Sequence, residues 1–156
     1  MPVTHHELCF GCGQQNLFGL QIEVEPQPAG GVAGRMFLKQ DHQGPPGAAH
    51  PGLIATALEE VMSLALEAEG VRALPESFEV HIERPAPLGV FVRLEARSVA
   101  EAGDGPIPVT AEASLAGVEA GPVASARATF VPYDDADASS RVAPSGGSPG
   151  RPPSGS

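Results

Sequence analysis

The stretch from Asp41 to Leu66, DHQGPPGAAHPGLIATALEEVMSLAL, constrains this chain most. A Gly/Pro-rich loop carrying His42 and His50 runs directly into an apolar segment that is long enough for a helix. A helix N-terminus offers free backbone N–H groups and the positive end of the helix dipole, and both stabilise a negative charge that develops nearby. The pattern therefore predicts a helix whose first turn lies at a functional site.

A helix over residues 52–69 would have one broad apolar face. This face, which we expect to contact a sheet, contains Leu53, Ile54, Ala57, Leu58, Val61, Leu64 and Ala65. Glu59 points nearly the opposite way, and Met62 and Leu66 lie beside it. An acid beside apolar side chains is unusual for a solvated face, so we expect a subunit or a ligand to cover this side. Glu60 is expected at the edge of the helix.

Alternation of apolar and polar residues predicts strands before and after this helix. The predicted strands cover residues 20–24, 32–38, 78–82, 90–97, 109–115 and 123–131. The element order is β-β-α-β-β-β-β, which is typical of an α+β fold with one long central helix wrapped by an antiparallel sheet of five to six strands. We expect the four strands after the helix to form a meander. Residues 1–133 are expected to form one domain, and residues 134–156, rich in Pro, Gly and Ser, a disordered tail.

Charge and composition exclude several classes of partner. The net charge is −10, and the nine basic residues among 156 form no cluster. This argues against a nucleic-acid surface or an anionic membrane patch. There is no signal-like N-terminus and no apolar run of membrane-spanning length, so a cytoplasmic location is expected.

Cys9 and Cys12 form a lone CxxC motif, which could be a redox pair, half of a zinc site, or two small packed residues. Packing is the favoured interpretation, because a redox CxxC normally opens a helix after a strand and a tetrahedral zinc site needs four ligands. Only His5 and His6 stand nearby as further ligands. We therefore expect no metal and no cofactor, with a zinc site of these four residues as a remoter alternative.

The spacing of Gly52 and Glu59 bears on how a site could be assembled. Seven residues of helix separate them by roughly 10 Å along the axis, which is too far for both to touch one reacting atom. Two helices packed antiparallel about a two-fold axis would bring the N-terminus of one to the Glu59 of the other, and would create two equivalent sites.

Three motifs resemble one family. CFGCGQQNLFGL at 9–20, HQGPPGAAHPGLIATALEE at 42–60 and ERPAPLG at 83–89 are together similar to the hotdog-fold acyl-CoA thioesterases of the PaaI-like group, over residues 9–132. The resemblance implies a homodimer or a dimer of dimers that hydrolyses an acyl-CoA thioester.

The resemblance also implies residue roles. His50 takes the place of the family's HGG histidine. The Gly52 N–H and the helix dipole would polarise the thioester carbonyl, and Glu59 of the partner subunit would act as general base or nucleophile. The expected catalytic residues are thus Glu59, Gly52 and His50. The expected substrate-binding residues are Asn16, His42, Gly44, Glu60 and Arg84.

One departure from the family pattern keeps a second hypothesis open. Pro51 stands where the family has its first glycine, so this position has no N–H to donate. The alternative is a hotdog protein that binds acyl groups without hydrolysis, or that runs another reaction in the same cleft. The sequence does not indicate which acyl group is bound.

Overall fold

The computed structural model describes residues 1–100, 103, 105–116, 121–134 and 136. Six strands and one long helix occupy these residues. In chain order they are β1 (Glu23–Pro26), β2 (Val32–Phe37), α1 (Pro51–Ala68), β3 (Ala73–Ile82), β4 (Phe91–Ser98), β5 (Ile107–Leu115) and β6 (Gly121–Pro132), with a short 3-10 turn at Gln40–His42 before the helix. The predicted element order and the α+β fold, a single helix against an antiparallel sheet, are confirmed.

The sheet order is β1-β2-β4-β5-β6-β3, with every pair antiparallel. The predicted four-strand meander is wrong, because β3 pairs with β6 at the far edge and not with β4. The chain after β3 carries Pro85 and Pro87, which have no N–H to donate to a strand ladder. It crosses the start of the helix instead, where the Ala86 carbonyl accepts a 2.8 Å hydrogen bond from the Ala49 N–H.

Strand β1 begins later than predicted. Gln21 has a left-handed backbone with φ of 52°, which interrupts an extended strand. The Leu20 and Ile22 N–H groups donate instead to the Phe10 and Gly11 carbonyls of the N-terminal segment. These bonds fold the N-terminal segment back on itself ahead of the first strand, and the Val3 N–H joins it to β1 by donating to the Val24 carbonyl at 3.0 Å.

Helix α1 is buried on more than its sheet-facing side. Leu58, Val61 and Leu64 are fully buried as predicted, but Met62 and Leu66 are also within 1% of complete burial. The expectation that a subunit or a ligand covers the side of α1 with Glu59 is therefore wrong for Met62 and Leu66, and it stays a prediction for Glu59 itself. This chain covers Met62 and Leu66 itself, since both belong to one core cluster that includes Cys12.

The predicted tail begins at Asp134, which with Ala136 is described, whereas the rest of residues 134–156 lies outside the described residues. Among the described residues, no helix has the length and apolar character needed to cross a membrane.

Replacing Leu58 by alanine tests how much α1 packing contributes to stability. Leu58 is fully buried, so Leu58→Ala should lower the free energy of unfolding by about 2–5 kcal/mol through lost burial and a residual cavity. Leu17, which is 80% exposed, supplies the matched control, and Leu17→Ala should change it by less than about 0.5 kcal/mol. Guanidinium denaturation measures both, and equal effects of the two variants would contradict the packing described.

Candidate active site

The loop before α1 is held in one conformation by backbone contacts. The Gly44 N–H donates to the Ala48 carbonyl at 3.0 Å, and the His50 N–H donates to the His42 carbonyl at 2.8 Å. A Cβ on Gly44 would lie 2.6 Å from the His50 Cα, so no side chain fits there. The loop thus places His50 and the helix start with little freedom.

His50 caps the helix. Its Nδ1 accepts a 2.9 Å hydrogen bond from the Gly52 N–H. The Leu53 and Ile54 N–H groups both donate to the His50 carbonyl, at 3.0 and 3.3 Å, and Pro51 has no N–H. The Gly52 amide, the expected donor to a thioester oxygen, is therefore engaged by an exposed imidazole that must turn away before a substrate can use it.

A cavity of about 240 Å³ lies beside the first turn of α1. Its walls are mainly apolar and include Pro51, Ile54 and Ala86. Arg84 lies in the same wall, and its Nη2 donates to the Gly121 carbonyl at 3.2 Å. Glu59 does not line this cavity. Two larger hollows elsewhere on the surface contain none of the predicted site residues.

Glu59 is a half-buried acid in the middle of α1. Within the part of the chain that the structure describes, its carboxylate makes no hydrogen bond or ion pair. Burial raises the pKa of Glu59, and the neighbouring Glu60 charge raises it further. Glu59 is therefore available to a group that another molecule brings.

Glu60 occupies a different environment from the one expected at a helix edge. It is only 8% exposed, and its Oε1 lies 3.0 Å from His5 Nδ1 and 3.3 Å from Cys9 Sγ. Burial alone would raise the pKa of Glu60, but hydrogen bonds with His5 and Cys12 outweigh it and lower the pKa. The hydrogen bonds of His5 with Cys12 and Glu60 raise the pKa of His5 to about 11.

Two other predicted substrate contacts hold loops together. Asn16 donates from Nδ2 to the Leu8 carbonyl and accepts from the Phe18 N–H, both at 3.1 Å. His42 is 7% exposed, and its Nδ1 accepts a 3.0 Å hydrogen bond from the Lys39 N–H. Burial lowers the pKa of His42, which keeps the ring neutral and able to accept. A contact of either residue with substrate stays a prediction.

Solved structures resemble this fold closely. A thioesterase superfamily protein matches with a TM-score of 0.73 and 25% identity, over 83% of this chain and 64% of its own length. The chain thus spans less than two thirds of that protein. The Escherichia coli PaaI protein of the phenylacetic acid degradation operon matches with a TM-score of 0.66 and 16% identity, covering 74% of this chain and 81% of PaaI.

A third structure contains a ligand. A Streptococcus mutans protein bound to acetyl-CoA matches with a TM-score of 0.64 and 19% identity, covering 72% of this chain and 88% of that protein. No family model matches the sequence, and a search of the curated proteins finds no match. The resemblance read from the three motifs is confirmed by the fold. The chain therefore has the fold of the hotdog thioesterases, with the PaaI-like proteins among its structural neighbours.

Proposed function

We propose that this chain hydrolyses an acyl-CoA thioester at a site formed between two copies. Glu59 carries the proposal. It is a half-buried acid on the central helix that has no hydrogen-bond or ion-pair partner in the described part of its own chain. Acetyl-CoA in the S. mutans structure of the same fold supports a coenzyme A thioester as the ligand class.

Geometry favours an acid supplied by a second copy. The cavity beside the first turn of α1 is lined by one acid, Glu83 of the segment after β3, and by none from α1. Glu59 lies roughly 10 Å from Gly52 along the helix axis. An antiparallel arrangement of two helices about a two-fold axis would bring each Glu59 to the cavity of the other copy.

Strand β3 offers a surface for this pairing. It is ten residues long and lies at the edge of the sheet, hydrogen-bonded to β6 on one side. Leu74, Phe78 and Ile82 are each about two-fifths exposed or more, at 47%, 38% and 41%. A long edge strand with exposed apolar side chains is a template for pairing with another chain. Because β3 ends at the cavity that contains Arg84, a copy paired there would lie close to it.

The proposed reaction uses few groups. The thioester carbonyl lies at the first turn of α1, where the Gly52 N–H and the helix dipole stabilise the oxyanion as the carbonyl is attacked. Glu59 of the second copy takes a proton from water, whose oxygen bonds to the carbonyl carbon. The carbon–sulfur bond then breaks, and the thiolate receives that proton, so that free acid and coenzyme A thiol are released. Direct attack by Glu59 as nucleophile would give the same products through an anhydride that water cleaves.

One observation favours a second candidate, an acyl-binding protein that does not hydrolyse. Pro51 removes one donor from the first turn, and His50 occupies the Gly52 N–H. If His50 stayed in place, the cavity could hold an acyl group without polarising its carbonyl. A thiol-release assay over short, medium and aromatic acyl-CoA esters distinguishes the two functions, with hydrolysis of none of them supporting the second.

Glu59→Gln should remove most turnover. The amide keeps the shape of the side chain but cannot accept a proton, so kcat should fall by about 100- to 10,000-fold with KM little changed. Thiol release from the best ester of the panel measures both, and circular dichroism checks the fold.

Glu67→Gln is the matched control, because Glu67 is a partly exposed acid on the same helix. It should keep the wild-type kcat. Both variants retain Cys9 and Cys12, so their background reaction with the thiol reagent is the same. Unchanged kcat in Glu59→Gln would contradict the assignment of the general base.

His50 is expected to act mainly as a cap. His50→Ala should lower the free energy of unfolding by about 0.5–2 kcal/mol, and His50→Asn should recover most of it, because Asn also caps helices. Both variants keep the Gly52 N–H, so kcat should stay within about tenfold of wild type, the size of one hydrogen bond. A loss in His50→Asn as large as that in Glu59→Gln would instead place His50 in contact with substrate.

A further inference from the structure

We propose that His5, Cys9, Cys12 and Glu60 bind a structural zinc ion. One ligand atom from each, an imidazole nitrogen, two thiol sulfurs and a carboxylate oxygen, lies within 4.8 Å of all the others. Zinc in proteins takes these ligand types, and four of them complete a tetrahedral site. The inference is independent of the thioesterase proposal.

The distances fit a tetrahedron around one ion. With zinc–sulfur bonds of about 2.3 Å and zinc–nitrogen or zinc–oxygen bonds of about 2.0–2.1 Å, neighbouring ligand atoms lie about 3.3–3.8 Å apart. His5 Nδ1 is 3.6 Å from Cys12 Sγ and 3.8 Å from Cys9 Sγ. Glu60 Oε1 is 3.3 Å from Cys9 Sγ and 3.0 Å from His5 Nδ1. Both distances from Glu60 Oε1 are about 0.3 Å shorter than the edge expected for their atom pairs, so the carboxylate would move outward by about that much around an ion. The two remaining pairs of ligand atoms lie within 4.8 Å.

Groups around the cluster suit a metal site. The second ring nitrogen of His5, Nε2, lies 3.0 Å from the Ser63 hydroxyl, which would orient the ring so that Nδ1 faces the ion. Cys12 Sγ accepts a 3.2 Å hydrogen bond from the His5 backbone N–H, which helps to fix the position of the sulfur. Gly11 lets the CxxC turn approach the helix, since a Cβ there would lie 2.2 Å from the Glu60 Cδ.

The fourth ligand comes from the helix and not from the neighbouring histidine. His6 is exposed and does not belong to the cluster, whereas Glu60, 48 residues after Cys12, does. Four protein ligands leave no open position, so the ion would have a structural role and not a catalytic one. It would join the N-terminal segment to α1 one residue from Glu59. Thiol and imidazole ligands must lose their protons to bind a metal, so zinc binding to these residues would release protons.

Metal content of the full chain, purified without a histidine tag and under reducing conditions, is the first test. Wild type and His6→Ala, the matched control, should each hold about one zinc ion per chain. His5→Ala and the Cys9→Ser/Cys12→Ser double variant should lose it. Wild type without zinc, or a double variant that retains it, would overturn the proposal.

A cobalt titration keeps the proposal testable if a ligand variant fails to fold. Metal-free wild type should bind Co²⁺ with thiolate charge-transfer bands and the intense visible bands of tetrahedral cobalt, and zinc should displace it. Absence of these bands would overturn the proposal. Ser63→Ala should keep one ion per chain but weaken its affinity by about 10- to 100-fold in chelator competition, as loss of an orienting contact does. An unchanged affinity would contradict the proposed role of Ser63.

Discussion

Helix α1 is surrounded by apolar packing on most of its circumference. This burial restricts the contacts that the two acids in the middle of the helix can make. A buried carboxylate costs free energy unless it is hydrogen-bonded or paired. Glu59 and Glu60 are adjacent in sequence but about 100° apart around the helix, so they meet different surroundings. Glu60 turns towards His5 and Cys9, whereas Glu59 reaches the surface half-buried and without such contacts. One acid is held by its own chain, and the other is available to a second molecule.

The start of α1 supplies the complementary half of the proposed chemistry. A tight loop, with Gly44 against His50, aims the first turn at a small apolar cavity. Pro51 and the His50 cap leave Gly52 as the one first-turn amide not bonded to a backbone carbonyl. In the proposed reaction, this amide exchanges its hydrogen bond with the imidazole for one with the thioester oxygen. An exchange of this kind makes the donor available only when a better acceptor arrives.

The sequence predicted the local features of this fold better than its long-range contacts. Helical and strand periodicity depend on neighbouring residues, so the element order was predicted correctly and the bounds of α1 to within one residue. The position of β3 in the sheet was not predicted correctly, because the sequence of the Pro-containing crossover after it is also typical of a tight turn. The burial of Glu60 was not predicted either. Nothing in the residues around Glu60 indicates that the CxxC turn, 48 positions earlier, packs on it. From sequence, the candidate further ligands of the CxxC motif were its neighbours His5 and His6. In the structure, His5 lies with the two cysteines and His6 does not.

The central claim is that Gly52 of one copy and Glu59 of another act on the same thioester. Mixing two inactive variants tests it most directly: Glu59→Gln, and Gly52→Pro, which removes the amide hydrogen in the first turn of the helix. If the site forms between copies, dissociation and reassociation of the mixture yields hybrid dimers with one intact site, and thiol release should return to about a quarter of the wild-type rate. If each chain carries a complete site, the hybrids stay inactive and the mixture shows no recovery.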